Sequence, residues 1–81
     1  MKVRIKFFAI LRERVGSGDI TKEIREGSTI GELWEGLKKE YPKLAPVEMR
    51  LLYAVNQNYV SADHVLKEKD EVVFVPPVSG G

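Results

Sequence analysis

The sequence predicts a single α+β domain, with a mixed sheet packed on one main helix, and three observations carry that prediction. Between Thr29 and Pro42 the apolar residues recur at helical spacing. On either side the apolar residues instead alternate, as in Lys2 to Phe7, or run unbroken, as in Val72-Val73-Phe74-Val75. The chain has 81 residues, enough for one modest core and not for two.

Taken in order, Lys2 to Leu11 opens with Lys2, Arg4 and Lys6 set against Val3, Ile5 and Phe7, the period of a half-buried strand. Phe8 breaks the alternation and puts an aromatic on the face that carries the charges. Either a sheet edge or loop covers it, or it belongs to a protein-binding patch, where aromatics are favoured. Arg12 to Asp19 has the glycines and polar residues of a connection between strands. Gly16 and Gly18 bracket Ser17, but no helix start follows directly, so this is not a phosphate-cradling loop. Ile20 to Arg25 reads as a short second strand with Ile20, Lys22 and Ile24 on one face; Ile20 and Ile24 also fit one face of a helix.

Glu26-Gly27-Ser28 turns the chain into its main helix. Thr29 and Glu32 have the spacing of a capping box, in which each side chain satisfies a free amide at the helix start. Ile30, Leu33, Trp34, Leu37 and Tyr41 form one apolar stripe, which assigns Trp34 to the core, and Pro42 ends the helix. Lys43 to Arg50 contains Pro46 and no clear period, as a loop does. Leu51 to Val55 is a third strand, Asn56-Gln57-Asn58 a turn, and Tyr59-Val60 a short return strand. His64 is the only histidine and falls in a surface or turn segment before the charged turn Lys67-Glu68-Lys69-Asp70. The last strand must be central, given its apolar character. A helical crossover sets strands parallel, so it should lie beside the first.

Composition narrows the function. A net charge of +1 makes no case for nucleic acid, which demands a strongly basic face. No apolar stretch approaches the length of a membrane span and Met1-Lys2-Val3 begins no signal peptide, so a cytoplasmic protein without a membrane partner is expected. There is no cysteine, so no side-chain thiol serves as nucleophile, sulfur carrier or metal ligand. No Ser-His pair, Walker loop or metal-ligand cluster is present, and no metal is expected. Asp63, Asp70 and Glu71 flank turns, where acidic residues usually face water.

What remains is the end of the chain, Pro76-Pro77-Val78-Ser79-Gly80-Gly81. The prolines cannot donate to a sheet ladder and favour extended backbone. The two glycines carry no side chain, so a thin thread ending in a carboxylate is suited to a narrow cleft on another protein. Taken alone, this is equally the profile of an inert, frayed terminus.

Phe74 to Gly81 resembles the ending of the molybdopterin synthase small-subunit family of ubiquitin-like sulfur carriers. The resemblance continues through Phe7-Phe8-Ala9, Leu11-Arg12-Glu13, Val55-Asn56-Gln57 and Asp70-Glu71-Val72, in order along the chain. It implies a β-grasp domain over residues 1–75 and a flexible tail over 76–81. It also implies that an ATP-dependent, E1-like enzyme adenylates the Gly81 carboxylate, which is then converted to a thiocarboxylate. The thiocarboxylate delivers sulfur to a pterin precursor in the large synthase subunit, for a molybdenum or tungsten cofactor. The chain itself is then a sulfur-donor subunit and not a catalyst. ATP belongs to the activating enzyme, and no cofactor of its own is implied. Gly80 and Gly81 permit close approach, while Pro76 and Pro77 keep the tail extended and Val78 and Ser79 lie at the cleft mouth. Phe8, Arg12, Tyr59 and Val75 match positions that meet the large subunit, although the family often has an aliphatic residue at the first and an aromatic at the second of the pair Tyr59 and Val75. The alternatives are a carrier for thiamine thiazole synthesis, a protein modifier joined to lysines through Gly81, and an interaction domain with an inert tail.

Overall fold

The alternation of Val3, Ile5 and Phe7 becomes strand β1 (Lys2–Phe7), with these three side chains buried and Lys2 and Arg4 exposed. The structure is a computed structural model that describes residues 1–45 and 51–76. After β1 come helix α1 (Ala9–Val15), strand β2 (Asp19–Glu23), helix α2 (Ile30–Glu40), and a 3-10 turn at Pro42–Leu44. Strands β3 (Leu52–Val55), β4 (Asn58–Val60) and β5 (Glu71–Val75) complete the sheet. Its order is β2-β1-β5-β3-β4, so the last strand is the central one, parallel to β1 and antiparallel to β3. This mixed sheet packed against one main helix is the β-grasp arrangement, as expected.

Helix α2 begins at the capping box. Thr29 Oγ1 accepts from the Glu32 amide at 3.2 Å, and Glu32 Oε1 accepts from the Thr29 amide at 3.0 Å. Such a cap contributes about 1 kcal/mol to a helix start. Ile30, Leu33, Trp34 and Leu37 are buried against the inner face of the sheet. Phe74 stands at the middle of this core. Its ring centroid lies 5.2 Å from Trp34, 5.7 Å from Tyr53 in an edge contact, and 6.1 Å from Phe7. The pairing of β2 with β1, Ile20 opposite Ile5, makes residues 19–23 a strand and not a helix.

The structure corrects three expectations. Strand β1 stops at Phe7, and the next residues form α1 where the sequence predicts a strand end and a connection. Burial of Leu11 in the core favours this short helix, and Gly16 closes it at φ 87, its amide donating to the Arg12 carbonyl at 2.9 Å. Asp70 does not face water. It is only 8% exposed, and its carboxylate accepts from Asn56 Nδ2 at 2.9 Å and from the Lys67 amide at 2.7 Å. Pro76, assigned by the sequence to the tail, is buried, so the packed body reaches one residue past Val75. Among the described residues, no helix is long and apolar enough to cross a membrane.

Candidate functional site

On the outer face of the sheet, away from α2, the strand register brings together Leu52, Tyr59, Val73 and Val75. Val75 pairs with Leu52, and Val73 lies between Lys6 on one side and Ala54 on the other. Ala54 in turn pairs with Tyr59 on the edge strand β4. Phe7 is in register with Phe74, so Phe8 follows at the same end of the sheet as Val75, pointing away from the core. Leu52 and Phe8 are about half exposed and Tyr59 is 73% exposed. Exposed apolar and aromatic side chains are favoured at protein-binding surfaces.

The same face has a charged half over β1 and β2. Arg4 Nη2 meets Asp19 Oδ2 at 2.6 Å and Lys6 Nζ meets Glu71 Oε2 at 3.7 Å. The hydrogen bond that Arg4 donates to Asp19, and then the charge of Asp19, raise the pKa of Arg4 above its usual value. Exposed pairs of this kind contribute little to stability. Their positions matter more here, because they divide the face into a charged half and an apolar half.

The structure therefore brings Phe8 and Val75 to one end of the sheet and puts Tyr59 in the next row, at the β4 edge. Arg12 lies exposed on α1, beyond the turn that follows Phe8. Leu52 went unremarked in the sequence because it reads as one more apolar residue of a buried run; only its register with Val75 reveals it on the outer face. Ala9, which joins β1 to α1, has φ 52, a left-handed conformation unusual for alanine, and with it the chain turns sharply after Phe8. Pro76 is buried at the end of β5. Pro77, Val78, Ser79, Gly80 and Gly81 lie outside the described residues. His64 is half-buried in the connection before Val65, its carbonyl accepting from the Ile30 amide at 3.1 Å. Among the described residues, no group of His, Asp and Glu side chains gathers as a metal site would require.

Comparison with known proteins adds the following. The model of the ThiS family matches residues 5–81. The Escherichia coli molybdopterin synthase sulfur carrier subunit is 41% identical over 98% of this chain and 99% of its own length. Among solved structures, a Pyrococcus furiosus protein described as a molybdopterin converting factor, subunit 1, superposes with a TM-score of 0.85 at 34% identity, covering 96% of this chain and 99% of that one. The small archaeal modifier protein 1 of Methanosarcina acetivorans superposes with a TM-score of 0.82 at 26% identity, covering 99% of this chain and 96% of that one.

Proposed function

Because the chain belongs to the ThiS family, we propose that it is a sulfur carrier, the small subunit of a molybdopterin synthase, with Gly81 as the carrying residue. The full-length similarity to a sulfur carrier subunit at 41% identity, together with a family match running through Gly81, is the observation that carries this reading. The absence of cysteine supports it, since sulfur must then be held on the terminal carboxylate.

A carboxylate is a poor electrophile. Attack of its oxygen on the α-phosphorus of ATP gives an acyl adenylate and releases pyrophosphate. Hydrosulfide from the sulfur donor then displaces AMP, and loss of its proton leaves a thiocarboxylate. Sulfur is the better nucleophile, so the thiocarboxylate attacks an electrophilic carbon of the pterin precursor, forming a carbon–sulfur bond as a carbon–oxygen bond at that carbon breaks and its oxygen takes up a proton. Hydrolysis of the resulting acyl bond leaves sulfur on the pterin and restores the carboxylate. The chain's own residues position this group. Phe8, Leu52, Tyr59 and Val75 dock the large subunit, and Pro76 anchors the start of the thread in the packed body. Pro77 limits the conformations lost on binding, and Gly80 and Gly81 admit neighbouring backbone close to the reacting carbon. ATP is bound by the adenylating partner.

The test is direct. Incubated with an adenylating enzyme, ATP and a sulfur donor, the protein gains at its C-terminal peptide the mass difference of sulfur replacing oxygen. An unchanged peptide, under conditions that convert the Escherichia coli carrier, overturns the reading. The similarity to an archaeal modifier favours a second use of the same activated carboxylate, in isopeptide bonds to lysines of other proteins. In cells expressing the chain, lysine peptides bearing its C-terminal residues establish that use. Their absence, with thiocarboxylate present, leaves sulfur transfer alone.

A further inference from the structure

We propose that the free edge of strand β2 is a second protein-binding site, which takes an extended segment of another protein as an added strand. The segment carries apolar residues at alternate positions on one side and a lysine or arginine on the other. Hydrogen bonds at the two ends of β2 fix which of its backbone groups face outward. The Ile24 amide donates to the Met1 carbonyl at 2.8 Å, and the Met1 nitrogen donates to the Ile24 carbonyl at 2.9 Å. At the other end the Phe7 amide donates to the Gly18 carbonyl at 3.0 Å. Bonded pairs alternate in an antiparallel ladder, so the even-numbered residues of β2 face β1, and Asp19, Thr21 and Glu23 turn their amides and carbonyls to the edge.

Two serines close the ends of this edge. Ser17 Oγ accepts from the Asp19 amide at 3.3 Å and donates to the Asp19 carbonyl at 3.0 Å. Arg25, next in the alternation, has its carbonyl taken by the Ser28 amide at 3.2 Å and by Ser28 Oγ at 2.6 Å. Between them, the amides and carbonyls of Thr21 and Glu23 have no partner among the described residues. Such a row of open backbone groups is the template that strand addition uses. The opposite edge, β4, has only three residues.

The side chains say which segment fits. Ile20 and Ile24 are half-buried against the core, so apolar residues laid opposite them extend their cover. Lys22, between them, is already paired with Glu40 of α2. On the other side Asp19 is paired with Arg4, whereas Glu23 is exposed, makes no ion pair among the described residues, and suits a partner's lysine or arginine. A second copy of the chain fits badly. Two-fold antiparallel pairing centred on Thr21 sets Asp19 opposite Glu23, and pairing centred on Lys22 or on Glu23 sets that residue opposite itself. Each puts like charges directly across the ladder, which is unfavourable. Because β1 separates β2 from β5, the segment leaves Leu52, Tyr59 and Val75 free, and the site is distinct from the docking face proposed above.

The probe is the peptide acetyl-Val-Lys-Val-Thr-Val-amide, titrated to millimolar concentration into isotopically labelled protein while the backbone amide resonances are followed. The Thr21 and Glu23 amides should shift most and exchange more slowly with solvent, as they gain hydrogen bonds. The same peptide N-methylated at its lysine and threonine should not bind, because those two amides are the ones that pair with the edge. Glu23→Lys should weaken binding of the parent peptide about twofold to fivefold at low salt, and a peptide with glutamate in place of lysine should reverse that order. Thr21→Pro removes a donor that β1 does not use, so the variant should fold and bind about tenfold more weakly. If it unfolds, the N-methylated peptide makes the same test. No change at Thr21 and Glu23, equal binding by the N-methylated peptide, or shifts centred on Phe8, Leu52 and Tyr59 would overturn the proposal. Shifts at Thr21 and Glu23 on concentrating the protein without peptide would make a second copy the occupant, and overturn it as well.

Discussion

Phe74 is fully buried, in ring contact with Phe7, Trp34 and Tyr53, whereas Val75, the next residue of the same strand, is half-buried on the outer face opposite Leu52. The central strand thus gives alternate residues to different tasks. Its inward side chains, Val72 and Phe74, hold the sheet on α2, and its outward ones, Val73 and Val75, form the middle of the exposed apolar surface. A strand buried on both faces would need apolar residues throughout, and this one has them from Val72 to Val75. Among the described residues, only the inner face is covered, by α2. Folding and docking should accordingly respond to different substitutions.

The largest expected effect is on the inner side. Phe74→Ala should cost about 3–5 kcal/mol in chemical denaturation, the range for a large aromatic deleted from a core. A loss below about 1 kcal/mol would break the comparison at its root. Next comes Asp70→Ala, which removes the acceptor for Asn56 Nδ2 and the Lys67 amide and should cost about 1.5–3 kcal/mol. Because Asp70 precedes β5 at the end away from Val75, affinity for the large subunit should hardly change once the variant is folded. Equal damage to both properties would show that the two ends of the strand are not independent. On the outer side, Phe8→Ala should weaken partner binding by about 1 kcal/mol or more while changing stability by less than that. The opposite order, unfolding before any loss of affinity, would place Phe8 with Phe74 and not with Val75.

These differences were unevenly legible in the sequence. Helix α2 was readable because Thr29 and Glu32 give its start, Pro42 its end, and the stripe between them a period. The central place of β5 followed from its unbroken apolar run. Helix α1 was not readable, because Phe8 caps it without a side-chain hydrogen bond and the helix has only seven residues. Phe8-Ala9-Ile10-Leu11 is as apolar as a continuing strand, and the turn at Ala9 comes from a left-handed conformation that alanine does not advertise. Asp70 looked like one charge in a charged turn, since nothing local points to Asn56, fourteen residues earlier. Phe8 and Val75 were named from the sequence, and the register then added Leu52 between Val75 and the β4 edge. Such cross-strand neighbours are set by pairing, which a linear pattern does not contain.

The central claim is that chemistry resides at Gly81, apart from both the core and the docking surface. Its most direct test is the ATP-dependent adenylation rate of the protein lacking Gly81, measured on a sample whose folding has been checked. Thermal stability should shift by no more than about 0.5 kcal/mol, as for surface changes. Adenylation should fall on the order of a hundredfold or more, because the reacting carboxylate is displaced from its attack geometry. Adenylation at the normal rate by this variant would contradict the account.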